Sequence, residues 1–372
     1  VIYPLQLIII ALAVGTGVGV NTYMARLYAQ KMPGQAEETA GTGTLLALGT
    51  WFIFAIFSIF CMRPYVLTSA NTPEAIESAV IYGQIVCIGS IGAFLEGNWT
   101  KVHQSRGNMH RPMVAQTVGA LTNIVLDPIL IFGLGPVPEL GVAGAAYATV
   151  CGQVAAAVIT SFGGVGRLPE RTKMPLYIKQ IYWFGYASII MQALFTVYIV
   201  ILNAILAGFS DSAVTVLGLY YKMQTFFFIP LMGLQTCIVP VLSFNYATKS
   251  YARCREIMRD SYGFSCVFML VGVICFVFFP VQLLQVFSKS SEVIAIGKNA
   301  FPIIGASFIP AVFSLMTPVF FQAIGNGKIS LFLSVMRQIC CLIPIFWLLS
   351  LIDLRFTPFF MSNYTFTAFA RN

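Results

Sequence analysis

Asp127 and Pro128 sit side by side inside a long apolar run, and Asn123 precedes Asp127 by four residues. Counted from Pro112, which can open a helix, Asp127 lies roughly 22 Å along it at 1.5 Å per residue. A carboxylate at such depth in hydrocarbon costs at least ~2.5–3.5 kcal/mol on insertion scales, so it needs a partner, a cation or water. The four-residue spacing puts Asn123 on the same helical face. Pro128 has no amide hydrogen, which frees the carbonyl of Ile124. Carboxylate, amide oxygen and loose carbonyl suit a hard monovalent cation, or a proton on the carboxylate. The plainer alternative is a kink shaped by Asp-Pro. Glu96 is the second candidate, with Thr100 and His103 on its face. It reads either as part of a proton relay or as a water-facing carboxylate paired with Lys101 or His103.

Further along, Gln192, Asn203, Tyr220, Tyr221, Met223 and Gln224 stand near Phe226–Phe228. Amides among aromatic and Met side chains suit flat amphipathic cations, through π faces and adaptable packing. The same residue types also serve helix packing, and Lys222 would repel a cationic compound. A membrane-embedded enzyme would need a metal cluster, paired carboxylates or a Ser/His arrangement. The two histidines, His103 and His110, lie near one loop, and the nine cysteines form no C-x-x-C, so no catalytic group or cofactor is expected.

The elements that hold these residues follow from composition. Hydrophobic residues make up 58% and charged residues 9% of 372, against roughly 25% charged in soluble domains. Mean hydropathy is +0.84. The apolar runs reach about 20 residues, the length of membrane helices rather than barrel strands. The fold class is an all-α polytopic membrane protein. Ten spans are expected, near 2–25, 41–62, 76–100, 113–133, 141–162, 180–208, 213–245, 261–288, 293–324 and 329–353. Fourteen Lys and Arg cluster in or beside the links after the odd-numbered spans, and only Arg63, Lys289 and Lys298 in the others. The positive-inside rule puts the first set, including the basic linker 163–179, in the cytoplasm. The net charge of +8 thus follows topology, and no nucleic-acid partner is expected.

Residues 1–130 overlay residues 219–348 at a constant offset of 218. Tyr3 and Gln6 fall on Tyr221 and Gln224, and Gly15 on Gly233. Tyr28-Ala29-x-Lys31 falls on Tyr246-Ala247-x-Lys249, and Gln104-x-x-Gly107-Asn108 on Gln322-x-x-Gly325-Asn326. Repeats of this size mark secondary transporters, and a carrier fits better than a channel. The helix at 180–208 precedes the Tyr221 landmark, and its counterpart would lie upstream of Val1. The expectation is therefore two six-helix lobes with a first helix missing and no recognisable last helix: 1–162, the linker 163–179, 180–353, and an atypical tail 354–372.

The run Leu121-Thr-Asn123-Ile-Val-Leu-Asp127-Pro128, followed by Glu139-Leu-Gly141-Val-Ala-Gly144 and Thr149-Val-Cys-Gly152-Gln153, resembles the multidrug and toxic compound extrusion (MATE) family. Gly15-x-Gly17-x-Gly19 and the two Gln-x-x-Gly-Asn segments are similar to the same family. The resemblance covers roughly residues 1–350. It implies a twelve-helix carrier of two lobes that exports cationic drugs or metabolites in exchange for Na⁺ or H⁺. It also implies a cation site of Asn123, Asp127 and Thr149, with a further Asp on a first helix that this chain does not contain. Its setting would be the cytoplasmic membrane, with the lipid bilayer as partner and the chain acting as a monomer. The alternative within transport is a lipid or oligosaccharide flippase of the same superfamily, which would call for a more hydrophilic or basic groove.

Overall fold

The computed structural model describes the backbone of residues 3–67, 73–133, 138–207, 211–288, 290–342 and 344. The tail 354–372 and the side chain of Asn203 lie outside the described residues. Helices α1 (Tyr3–Ala29), α2 (Pro33–Leu67), α3 (Pro73–Gly89), α4 (Ile91–Ser105), α5 (His110–Phe132) and α6 (Gly141–Ser161) come first. They are followed by α7 (Met174–Ala207), α8 (Asp211–Ala247), α9 (Tyr251–Phe278) and α10 (Pro280–Phe287), then α11 (Ser291–Ala306), α12 (Phe308–Ala323) and α13 (Gly327–Val335). A π-helical segment, Met336–Leu342, continues α13. No strand occurs among the described residues. Five of these helices are long and apolar enough to cross a membrane, or up to seven if each bent pair is one span.

The chain forms two compact units, Val1–Ile189 and Ile190–Asn372, divided within α7. Their local structure repeats at the offset of 218. Lys31 and Lys249 both take left-handed backbone angles, φ 60° and 59°, and Gly107 and Gly325 match at 78° and 77°. The bonds Met32 N to Leu27 O and Lys31 N to Tyr28 O recur as Ser250 N to Asn245 O and Lys249 N to Tyr246 O. Asn108 N to His103 O and Gly107 N to Gln104 O recur as Asn326 N to Phe321 O and Gly325 N to Gln322 O. Each set is a Schellman closure, in which a left-handed residue satisfies the last helical carbonyls. Two of the sequence landmarks that match across the halves, Tyr28–Lys31 and Gln104–Asn108, are thus helix stops.

Two expected single spans are bent instead. Residues 76–100 resolve into α3 and α4, which meet at 41°, and 293–324 into α11 and α12, which meet at 51°. At the breaks Ser90 Oγ donates to Cys87 O, and Ser307 Oγ to Ile304 O. A side chain that bonds its own backbone competes with the helical ladder, which accounts for the first bend; at the second, Pro310 also has no amide hydrogen to give the carbonyl of Ala306 and breaks the ladder across the joint.

In the first unit, α1 packs on the early part of α7 through glycine. A Cβ on Gly19 would overlap the Ile181 carbonyl, and one on Gly15 would overlap the Ile189 side chain. The Gly15/Gly17/Gly19 run is therefore a close-packing stripe. The start of the 163–179 segment is docked along α2: Arg167 N donates to Glu37 O at 3.0 Å and Thr44 Oγ1 to Val165 O at 2.9 Å. A side chain at Gly41 would collide with the Arg167 carbonyl. At the same end Arg106 binds Glu37 at 2.6 Å and the Tyr28 hydroxyl at 3.1 Å, and also donates to Gly163 O. Burial raises the pKa of Tyr28, which keeps the phenol protonated within this cluster. In the second unit the core is aromatic, with Phe276 centred 4.9 Å from both Phe301 and Phe308. Large apolar side chains such as Ile53, Phe60, Phe226 and Val267 face outward, as a lipid-facing surface requires.

Candidate functional site

Helices α5 and α6 form a tight hairpin that fixes the polar residues of the first unit. Gly133 closes α5 at φ 69°, and Leu140 N returns to Leu130 O at 3.1 Å. Gly119 and Gly152 then face each other across the pair: a Cβ on either would come within 2.8 Å of the other's carbonyl. Gly144 likewise lies against the carbonyl of Leu130. Asn123 is carried on the face toward α6, with its Cβ 3.2 Å from the position a Cβ on Gly152 would take.

Asn123 Nδ2 reaches Asp127 Oδ1 at 3.5 Å. This contact is long, so the amide orients the carboxylate more than it neutralises it. Thr149 stands on α6 with its hydroxyl donated to Ala145 O at 2.9 Å, which leaves oxygen lone pairs for a cation. Among the described residues no hydrogen bond joins Thr149 to Asn123 or Asp127. The Asp127 carboxylate and hydroxyl or amide oxygens make a donor set of the right hardness for Na⁺, and the carboxylate alone could carry a proton. No group of three or more His, Cys, Asp or Glu that could hold a metal occurs among the described residues.

Glu96 is buried, 9% exposed. Of its expected neighbours Thr100 is in contact, whereas Lys101 and His103 bond other groups. Thr100 Oγ1 donates to Glu96 Oε1 at 2.6 Å, and Gln116 Nε2 of α5 donates to the same oxygen at 2.7 Å. Lys101 Nζ instead binds Gln104 Oε1 at 3.0 Å, and His103 Nε2 lies 2.9 Å from Thr160 O. The Glu96–His103 relay is therefore not formed, because His103 turns to the end of α6. Gln116, Asn123 and Asp127 are spaced i, i+7 and i+11, so they lie on one face of α5. Glu96 and Asp127 thus mark two levels of one stripe, roughly 16 Å apart along the helix. Neither carboxylate has a Lys or Arg partner among the described residues. Gln153 Oε1, on α6 near Gly92, is buried without a hydrogen bond and adds an acceptor to the same unit.

In the second unit the candidates are spread differently. Met223 is buried in the apolar core at 5% exposure. Tyr221 packs against that core with its ring 5.3 Å from Tyr220, while Gln192 and Gln224 are half-buried. Sequence reasoning passed over Arg337. It stands on the π-helical segment with its Nη1 3.4 Å from Ser314 Oγ of α12, close enough to Tyr198 for electrostatic coupling. Its Nε is buried with no hydrogen-bond partner. Among the described residues no carboxylate pairs with it. An arginine inside an apolar span was the signal, but charge counting for topology set it aside.

The MatE family model matches residues 1–129 and 187–348. The chain is similar to the FAD transporter of Shewanella oneidensis, with 25% identity over 94% of this chain and 79% of that one. It is also similar to the multidrug export protein MepA of Staphylococcus saprophyticus, with 24% identity over 87% and 69%. An outward-facing multidrug resistance MATE transporter of the MOP superfamily superposes with a TM-score of 0.90, over 98% of this chain and 83% of that one, at 22% identity.

Proposed function

This chain belongs to the MatE family of multi-pass membrane transporters, and on that premise we propose that it exports amphipathic organic compounds by antiport against Na⁺ or H⁺. It is a transporter and not an enzyme. The observation that carries the coupling reading is the pair of acids in the first unit, Glu96 and Asp127, aligned along α4 and α5 without a basic partner. Asp127, Asn123 and Thr149 take the coupling ion, and Glu96 with Gln116 is the second protonatable centre of the stripe. An ion drives transport only if it binds two conformations with different affinity. A carboxylate seated between close-packed helices meets that requirement, since a small shift of α5 against α6 changes its ligands.

Cationic drugs and metabolites are the first substrate class, attracted by the same unpaired acids. The relatives differ in their named cargo, drugs for MepA and FAD for the Shewanella protein, so membership of the family does not by itself fix the substrate. The basic ends, with Arg106, Arg111 and the 163–179 segment, face the cytoplasm, and the chain acts as a monomer in the cytoplasmic membrane. The test is ethidium efflux from cells expressing the protein under imposed Na⁺ or pH gradients. The gradient that drives efflux names the ion. Asp127→Asn should abolish the response to that gradient, and an unchanged response would remove Asp127 from the mechanism.

A further inference from the structure

We propose that Arg337, with Ser314 and the Tyr198–Tyr221 pair, forms a binding site in the second unit for an anionic group, a carboxylate or phosphate, carried by an aromatic compound. It rests on the export reading only for the direction of transport.

Position is the first support. Arg337 lies ten residues into the helix that starts at Gly327, roughly 15 Å along it, which is half the thickness of a bilayer's hydrocarbon. Ionisable residues at that depth face a cavity or a partner, because lipid offers neither. Among the described residues Arg337 has no acidic partner, and its recorded contact is a hydroxyl at 3.4 Å. A hydroxyl cannot balance a guanidinium, and Nε keeps a donor with nothing to receive it. The unmet requirement is an acceptor-rich anion, which the planar guanidinium can grip through two parallel bonds.

The surroundings supply the second support. Gln338, next in sequence, has its own buried Oε1 without a hydrogen bond. Ser330 and Ser334 turn their hydroxyls to Met191 Sδ at 3.6 and 2.9 Å, so that face of α13 is closed by packing. Tyr198 couples electrostatically to both Arg337 and Tyr221, and the Tyr221 ring lies 5.3 Å from that of Tyr220, tilted by 42°. A guanidinium beside a row of phenol rings can hold an anionic group and an aromatic body together. The backbone supplies the third support. The residues around Arg337 form a π-helix, a geometry that is rare and frequent at functional sites.

The deciding experiment compares riboflavin with flavin mononucleotide, which share a ring system and differ by one phosphate. Equilibrium binding to the purified, detergent-solubilised protein is read by quenching of flavin fluorescence. Wild type should bind the mononucleotide at least about tenfold more tightly than riboflavin, and Arg337→Gln should erase that preference while leaving riboflavin binding within about twofold. Arg337→Lys should keep part of the preference, and Ser314→Ala, a milder change, should reduce it about threefold. These arms hold the test even if Arg337→Gln fails to fold. Repeating the measurement with phosphatidylglycerol and with phosphatidylcholine separates the sources of the anion. Competition by phosphatidylglycerol alone would assign the site to a lipid headgroup and overturn the substrate role. Equal preference in wild type and Arg337→Gln would overturn the site itself. Binding needs no gradient, so a failure of coupled efflux leaves this result readable.

Discussion

The two units present opposite charges at corresponding places. In the first, Glu96 of α4 meets Gln116 of α5. At the offset of 218 those positions become Ser314 and Ser334, and Gly119 becomes Arg337. So the first unit has an acid where α4 faces α5, and the second a base where α12 faces the continuation of α13. The helix stops and the bends are alike, with Lys31 matching Lys249 and Ser90 lying one position out of register with Ser307. Duplication has kept the backbone devices and let the chemistry part. A shape repeated twice does not make two equivalent binding sites.

The largest expected effect tests the acid side of this contrast. Asp127→Asn should cut gradient-driven efflux by at least about tenfold, a loss of at least ~1.4 kcal/mol in transition-state terms, whereas Ser314→Ala should leave the dependence on the gradient intact. Vesicles with dye loaded and a gradient imposed give the rates, and equal loss in both variants would erase the division of labour. Next comes a pair of glycines at matched positions. A Cβ at Gly15 collides with Ile189, while one at Gly233 meets nothing within 4 Å. Gly15→Ala should destabilise by about 1–3 kcal/mol through overpacking. Gly233→Ala should stabilise by up to about 1 kcal/mol through helix propensity. Thermal unfolding followed by gel filtration reports both signs.

A smaller effect belongs to the Arg106–Glu37 pair, whose side chains are 24% and 35% exposed. The second unit has Ile324 and Arg255 at those positions. Because solvent screens the pair, Glu37→Gln should cost about 1 kcal/mol or less and matter less at high salt. An equal cost in molar salt would mean that Glu37 acts by packing alone. The smallest effect should be the same in both units. Lys31→Gly and Lys249→Gly each relieve a left-handed side-chain penalty and should stabilise by up to about 1 kcal/mol. Unequal shifts in melting temperature would show that the two closures are not equivalent.

Much of the fold was legible because its signals are local. Tyr28–Lys31 and Gln104–Asn108 carry the residues that end helices, and both recur at one spacing. Apolar run length gave the spans. The bends at Ser90 and Ser307 were hidden because the apolar runs cross them, and one serine, joined by Pro310 in the second case, is a slight mark within such a run. For the site, Asn123 and Asp127 were readable as an i, i+4 pair, and their side chains lie 3.5 Å apart. The Gln116 partner of Glu96 was not, since the meeting of α4 and α5 is set by packing between helices and leaves no mark in sequence spacing. Arg337 was visible but had no role until its neighbours on α12 and α7 were known.

The bends also have a mechanical consequence. The 17 residues of α3 and the 15 of α4 span about 26 and 23 Å, less than the hydrocarbon thickness, so neither reaches across alone. A continuous helix transmits a push along its axis through an unbroken ladder of backbone bonds. At Ser90 that ladder is interrupted, and the rod becomes two struts with a soft joint between them. Glu96 rides on the second strut, six residues past the joint. Displacement of α4 can therefore be absorbed at the joint without dragging α3, and α11 with α12 is articulated in the same manner. The stiff members of each unit are the unbroken helices; the acid of the first is mounted on the shorter strut beyond the joint.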